Sequence, residues 1–193
     1  QYTSVAPFTA YGPIAGALTF DSILIARTIT SSSYQGKGVQ LLAAITGSVK
    51  FTNVTGSIRN GNYDYGGFAW IHGMEGGSLL VENSVITTNA NDRPVQFYFR
   101  GLLRNAAVTI RNTKLTTVSS SYTSLYDVYL PTGINAMSDS SITLEGNEVN
   151  WYTQGSGYSG VTGYHVYRGQ YYGFTPGCTV NIRNGNFSLD LNT

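Results

Sequence analysis

The sequence predicts a single all-β domain built as a solenoid, a right-handed parallel β-helix of about six coils. Two observations predict this fold class: an apolar pattern that returns every 29 to 38 residues, and turn-forming residues at a fixed place within each repeat. The composition agrees with a folded chain, because hydrophobic residues make up 41% of the 193 residues. Charged residues make up only 11%, against about 25% in a typical domain. The length suits one domain.

Six segments share one register, and we take the first apolar residue of each as its anchor: Leu18, Val49, Leu79, Val108, Ile142 and Val180. The residue two positions later is apolar in every segment. The residue seven positions later is apolar in all but one, where Gly56 stands. Because side chains alternate along a strand, the anchor and the residue two later share a face. The apolar residue at plus seven breaks this alternation, so the chain has to turn between the two.

The corner is predicted four positions after each anchor, where residues that tolerate left-handed backbone recur: Ser22, Asn53, Asn83, Asn112, Gly146 and Asn184. Asn and Gly adopt this conformation more readily than other residues. We expect the stacked Asn side chains to pair their amides from coil to coil, forming a ladder.

A third strand completes most coils. It is predicted from apolar stretches at 39–45, 68–74, 95–99, 125–130 and 163–169, with loops at 30–38, 59–67, 87–94, 116–124 and 152–162. The solenoid domain then covers residues 16–193, and residues 1–15 form an N-terminal extension. A β-sandwich is the alternative, since it also has short, regularly spaced strands. A sandwich gives no reason to repeat one register six times.

The rhythm V-x-I-x-N-x-x-x-I resembles the right-handed parallel β-helix superfamily, which includes pectate-lyase-like enzymes, phage tailspikes and surface adhesins. The resemblance covers residues 16–191 and implies the fold, while function varies among its members. Pectinolytic hydrolases of this kind carry N-T-D, D-D, G-H-G and R-I-K motifs, and none of these occurs in the sequence. The lyases use clustered Asp residues to hold calcium. Arg93, Arg100 and Arg104 offer positive charge here, but the acidic cluster is missing, so we expect no enzyme activity.

Charged residues also follow the repeat. Three positions after the anchors come Asp21, Thr52, Glu82, Arg111, Glu145 and Arg183. Adjacent coils lie about 4.8 Å apart, so we expect the last four, which alternate in sign, to form an outward ion ladder. Asp92 and Asp127, one coil apart, are the carboxylate pair left for general acid–base chemistry. His72 and His165 lie three coils apart, roughly 14 Å, which is too far to share a metal ion.

The remaining composition argues against other classes of partner. Cys178 is the only cysteine, and it stands in a column of small residues, so we expect a small buried thiol. The net charge of +1 gives no electrostatic reason to bind nucleic acid. No apolar run approaches the roughly 20 residues that a membrane span needs. We expect no cofactor, no metal and no membrane insertion.

Aromatic residues are the stronger signal for binding. Tyr158, Tyr171 and Tyr172 fall in the longest repeat, outside the core positions, and surface Tyr suits both sugar stacking and protein interfaces. Two sequons occur, at Asn53 and at Asn186. Asn53 lies in the predicted corner ladder, so Asn186 is the candidate glycosylation site.

Both ends of the predicted solenoid lack a capping helix, because the N-terminal stretch contains Pro7 and Pro13 and the C-terminal stretch alternates like a strand. Open strand edges invite pairing with another copy. We expect residues 1–15 to contact the next subunit, with Phe8 and Tyr11 as apolar anchors.

Three functions follow from this sequence. The first is a self-assembling structural subunit of an extracellular filament, fibre or surface appendage. The second is a glycan- or receptor-binding β-helix, and the third is a polysaccharide-cleaving enzyme. The low charge, the abundance of Ser, Thr, Tyr and Asn, and the single cysteine predict a protein that is extracellular or on a cell or virion surface.

Overall fold

The computed structural model of the chain describes residues 3–30, 34–60, 67–90, 94–119, 126–129, 137–153 and 177–191. Within these ranges all regular structure is β-strand. The strands in chain order are β1 (Thr3–Val5), β2 (Phe8–Ala10), β3 (Ala17–Asp21), β4 (Leu24–Ile29), β5 (Tyr34–Leu41), β6 (Ser48–Thr52), β7 (Thr55–Asn60), β8 (Gly67–Ile71), β9 (Met74–Glu75), β10 (Ser78–Glu82), β11 (Val85–Ala90), β12 (Val95–Phe99), β13 (Leu103–Arg104), β14 (Ala107–Arg111), β15 (Lys114–Ser119), β16 (Tyr126–Tyr129), β17 (Met137–Ser138), β18 (Ser141–Glu145), β19 (Glu148–Thr153), β20 (Thr179–Arg183) and β21 (Asn186–Leu191).

The strands stack into parallel sheets that run along the solenoid. The first sheet has the order β3-β6-β10-β14-β18-β20, and the second has the order β4-β7-β11-β15-β19-β21. In the third sheet β1 and β2 pair with β5, and β8, β12 and β16 follow. All these pairings are parallel, for example Leu79 with Val49 on one side and with Val108 on the other. This confirms a parallel β-solenoid and excludes the sandwich, whose sheets are antiparallel.

Each coil takes one strand from the first sheet, one from the second and one from the third. Four coils contain all three strands within the described residues: β3–β5, β6–β8, β10–β12 and β14–β16. The last two coils contribute β18–β19 and β20–β21, the first two strands of each. All six anchors therefore stack in one sheet, as predicted, although about four turns are complete.

The predicted corner lies between the first and second sheets. All six residues four positions after an anchor have positive φ, from 48° at Asn112 to 62° at Gly146. All six residues are exposed, and the Asn53 amide nitrogen donates to Asp21 Oδ1 at 3.1 Å. The side chains that form hydrogen bonds from coil to coil beneath the corner lie one residue later, so the predicted position of the ladder was wrong. A left-handed residue turns its own side chain outward and directs the next one inward, beneath the corner.

The corner ladder consists of buried side chains that accept hydrogen bonds from the preceding coil. Ser84 Oγ accepts the backbone N–H of Val54 at 3.0 Å, and Asn147 Oδ1 accepts that of Thr113 at 3.0 Å. Between them, Thr113 Oγ1 accepts the N–H of Ser84 at 3.4 Å. The two hydroxyls donate to the carbonyls of Glu82 and Arg111. The ladder thus supplies partners to buried backbone groups that a bend in the chain would otherwise leave unpaired.

A second corner, which the sequence analysis missed, leads into the first sheet. Its left-handed residues lie three positions before four of the anchors: Gly76, Asn105, Asp139 and Gly177. The residue that follows is buried at the first three of these and half-buried at the last, Cys178. Ser140 Oγ accepts the N–H of Ala106 at 2.9 Å and donates to the carbonyl of Ser138. The short strands β9, β13 and β17 precede this corner.

The core is a set of stacked columns. Val49, Val81 and Ile110 have no exposed surface, and the rings of Phe20 and Phe51 stack with centroids 4.8 Å apart. Gly56, the exception in the apolar column, leaves room for a ring: a Cβ there would lie 2.7 Å from Phe68. Phe68 comes from the third sheet and fills the space that a larger residue would have occupied.

The second-sheet strands extend further than predicted. Loops are predicted at 87–94 and 116–124, but β11 and β15 continue to Ala90 and Ser119. Their polar residues Thr88 and Thr117 are buried and bond to the side chain of Gln96, at 2.8 and 2.9 Å. Polar residues that pair with one another inside the solenoid look like loop residues in the sequence.

Candidate functional site

Several predicted site residues lie outside the part of the chain that the structure describes. These are Tyr158, Tyr171 and Tyr172 of the binding hypothesis, together with His165 and Asp92. Asp127 lies in β16, and its side chain is also outside the described set.

The outward ion ladder forms where the sequence predicts it. Arg111 contacts Glu82 at 2.6 Å, and Arg183 Nε contacts Glu145 Oε1 at 3.3 Å. Each pair joins neighbouring coils at the same strand position. At the other end of the column, Asp21 Oδ1 accepts from Ser22 Oγ and from Asn53 Nδ2. Because these residues are at the surface, their role is to favour one register between coils, and each pair adds little stability.

A third ion pair lies on the second sheet and was not predicted. Lys114 Nζ lies 2.6 Å from Glu148 Oε1, again between adjacent coils. The hydrogen bond to Glu148 raises the pKa of Lys114. The hydrogen bond from Lys114, with a further one from Asn150, lowers the pKa of Glu148. Both shifts favour the charged forms, so this pair also favours the observed register.

A shallow recess of about 320 Å³ opens at the corner column, lined by Arg111, Asn112, Glu145, Gly146 and Asn184. Gly146 lies between the two Asn residues of the column, and the Asn112 amide oxygen reaches to within 2.6 Å of where a Cβ on Gly146 would lie. The charged groups at its rim, Arg111 and Glu145, are held by Glu82 and Arg183. The recess therefore offers no charged group that lacks a partner.

An aromatic pair lies on the third sheet, where Trp70 and Tyr98 face each other with centroids 4.8 Å apart. Lys37 Nζ lies 3.6 Å from the Trp70 ring centroid, and the Arg100 guanidinium lies 5.2 Å from it. A sugar-stacking platform needs an open ring face. The Trp70 ring is already contacted by two cations and by Tyr98, so this pair stabilises the fold.

The isolated candidates occupy ordinary positions. His72 is exposed just after β8. Cys178 is half-buried, and its thiol donates to the carbonyl of Met137 at 3.2 Å. Asn186 is exposed on β21, as a glycan acceptor has to be. Within the described ranges no three His, Cys, Asp or Glu side chains converge as metal ligands, and there is no helix that could span a membrane.

The N-terminal segment lies in the solenoid itself. β1 and β2 pair in parallel with β5, one coil ahead of it, and Phe8 packs edge-on against Phe20 at 5.0 Å. Phe20, an interior residue of the first coil, is consequently only 8% exposed. Tyr11 projects outward and is 81% exposed. A contact of residues 1–15 with another subunit stays a prediction.

The C-terminal end of the solenoid differs. β20 and β21 are the last strands of their sheets, and they carry Ile182 and Phe187 at interior positions. These side chains are 47% and 42% exposed, whereas Ile110 and Leu115, at the same positions two coils earlier, are fully buried. Among the described residues, these two interior positions are therefore only partly covered.

Exposed apolar side chains at inward-facing positions lie at the two ends of the solenoid. Nine large hydrophobic residues are exposed in the described ranges. Leu24 and Val85 share an outward-facing column on the side of the solenoid. Four of the others lie at the ends, Phe8 and Ile23 at the N-terminal end and Ile182 and Phe187 at the C-terminal end. These end surfaces are the candidate functional site. Sequence reasoning selected Phe8 and Tyr11 but missed Ile182 and Phe187, which look like core residues because they follow the repeat.

Comparison with protein-family models, with curated proteins and with solved structures gave no significant match to this chain.

Proposed function

We propose that this chain is a non-enzymatic structural protein that stacks end to end with copies of itself, as the subunit of an extracellular filament, fibre or surface appendage. From its strand–corner–strand rhythm we also propose that it belongs with the right-handed parallel β-helices, beside the pectate-lyase-like enzymes, tailspikes and adhesins.

The partial exposure of Ile182 and Phe187 is the observation that carries the proposal. Ile182 and Phe187 continue columns that are closed everywhere in the middle of the solenoid. A further coil laid on β20 and β21 would bury both side chains and would pair the edge N–H and C=O groups of both strands. The first coil of a second copy would fit there, because β3 and β4 lie in the same two sheets as β20 and β21 and would continue the spacing between strands.

The third sheet supports the same arrangement. β1 and β2 occupy a third-sheet position one coil ahead of β5, and the coil of β20 and β21 has no third strand within the described residues. A second copy stacked on the C-terminal end would bring its β1 and β2 to that position. Its Phe8, which is 36% exposed, would then face the interior beside Ile182 and Phe187.

The test is the association state of the purified chain at rising concentration, measured by light scattering and by negative-stain electron microscopy. We expect filaments or end-to-end oligomers, and we expect Ile182→Asp to abolish them. Val85→Asp is the matched control, because Val85 is also 47% exposed but lies on the outer surface of a middle coil. A wild-type chain that stays monomeric, or two variants that assemble equally, would contradict the proposal.

A monomeric chain would favour the glycan- or receptor-binding function, whose candidate residues Tyr158, Tyr171 and Tyr172 lie outside the described ranges. Glycan-array binding lost in a variant with these three residues changed to Ser would then identify that site.

A further inference from the structure

We infer that the joint between stacked subunits is set in register by an ion pair between Arg183 of one copy and Asp21 of the next. The inference rests on the proposed end-to-end assembly and names the contact that orients it.

The two residues occupy the same column at opposite ends of the first sheet. Arg183 pairs in register with Glu145 on the neighbouring coil, and Asp21 pairs with Thr52. If the register continues across the joint, Asp21 of the next copy lies beside Arg183, about 4.8 Å away along the axis. The same extension places Leu18 beside Val180 and Phe20 beside Ile182, so apolar residues meet apolar residues.

The charge order of the column is complementary across this joint. Within the chain, two acids of the column are followed by a base one coil later, Glu82 by Arg111 and Glu145 by Arg183, while Asp21 is followed by the neutral Thr52. Arg183 ends the column with a positive charge, and Asp21 begins it with a negative one. The joint thus continues the alternation of acid and base.

Both groups have capacity for a second partner. The Arg183 side chain is 59% exposed and uses Nε and one terminal nitrogen on Glu145. The two bonds described for Asp21 both go to Oδ1, which leaves Oδ2 for a further donor. Arginine suits a position between two carboxylates, because its guanidinium has five N–H donors and can bond to both.

Other registers fit less well. A slip by one residue would turn the apolar side chains of one copy outward. A slip by two would place Asp21 beside Asn181 and would move the left-handed Ser22 away from Asn184, the corner residue of the last coil. Only the unshifted register aligns the corner, the apolar columns and the charges together.

The experiment uses two full-length variants, Asp21→Arg and Arg183→Asp, alone and mixed. Each variant alone carries like charges at both ends of the column, so its joints repel. In an equimolar mixture every joint between unlike variants restores an acid opposite a base. We expect each variant alone to raise the critical concentration for assembly about threefold to tenfold, and the mixture to recover the wild-type value as an alternating copolymer. Raising the salt concentration should weaken the recovery.

Controls separate the joint from changes in net charge and folding. Lys50→Asp changes the net charge as Arg183→Asp does, and Glu75→Arg changes it as Asp21→Arg does, at exposed sites in the middle of the solenoid. Circular dichroism and thermal melts of each dilute variant verify that it folds. A wild-type chain that never assembles refutes the proposed function itself. Single variants that match their controls, or a mixture that fails to recover, refute the ion pair while leaving end-to-end assembly intact.

Discussion

The hydroxyl of Ser84 provides a direct test of how the solenoid turns its corner. Ser84→Ala removes one oxygen and changes little else in the shape of a buried side chain. The Val54 N–H then loses its acceptor at 3.0 Å, while the Glu82 carbonyl loses one donor at 2.8 Å and keeps the backbone N–H of Asn53 at 3.2 Å. Val54 is buried, with 1% of its surface exposed, so water does not readily replace the lost partner.

Leaving a buried polar group unpaired costs roughly 1–3 kcal/mol. Since the N–H is the group most enclosed, we expect Ser84→Ala to lower the free energy of unfolding by about 2 kcal/mol. For a domain of this size that corresponds to a fall in Tm of roughly 4–8 °C.

Thermal and chemical unfolding followed by circular dichroism measure the effect, and amide hydrogen exchange at Val54 locates it. Ser57→Ala is the control, because Ser57 is exposed on β7 and its loss should change stability by no more than about 0.5 kcal/mol. If Ser84→Ala were as stable as the control, with Val54 equally protected from exchange, the corner ladder would not have the role assigned to it.

Three further predictions concern the core, the corner and the surface charges. Val81→Asp should prevent folding, because it buries an unpaired charge where no surface is exposed, and a soluble variant with native circular dichroism would contradict this. Asn83→Val should lower stability by about 1–2 kcal/mol while Asn83→Gly stays near wild type, because φ at this position is 50°; equal melting temperatures would refute the argument. Glu148→Gln should flatten the acid limb of the stability–pH curve: the lowered pKa of Glu148 means that its stabilisation is present above the ordinary value of 4.5 and is lost as pH falls through the lower folded value. The raised pKa of Lys114 means that the stabilisation from this pair is also lost as pH rises through the folded value, and Glu148→Gln should remove that loss as well. A stability–pH curve that is unchanged from acid to base would contradict both assignments.

The repeat was readable from the sequence because the same physical demands recur in every coil. An apolar pair two residues apart predicts an inward strand face, and Asn or Gly at a fixed offset predicts the left-handed corner. All six anchors and all six corner residues lie where this reasoning put them.

Features that depend on polar partners inside the solenoid could not be read in the same way. Ser84, Thr113 and Asn147 look like surface residues, and only the closed corner reveals that each faces a buried backbone N–H. Thr88 looks like a loop residue until the third sheet brings the side chain of Gln96 against it. The second corner was missed because Gly76, Asn105, Asp139 and Gly177 share a conformation and no obvious side-chain chemistry.

The candidate site was only partly predictable. Phe8 and Tyr11 were visible as apolar residues outside the repeat. Ile182 and Phe187 were not, since a residue that follows the repeat is assigned to the core, and only the stacking order shows that their column is open on one side.

The measurement that tests the central claim most directly is the axial rise per subunit in assembled material, obtained by cryo-electron microscopy or fibre diffraction. The first sheet contains six stacked strands, so end-to-end subunits spaced at about 4.8 Å per strand should rise by about 29 Å each. The strands should lie across the fibre axis, with a strong axial repeat near 4.8 Å that runs through the joints without interruption. An assembly with a clearly different rise, or with its strand repeat perpendicular to the axis, would show that the copies meet along their sides and would contradict the account.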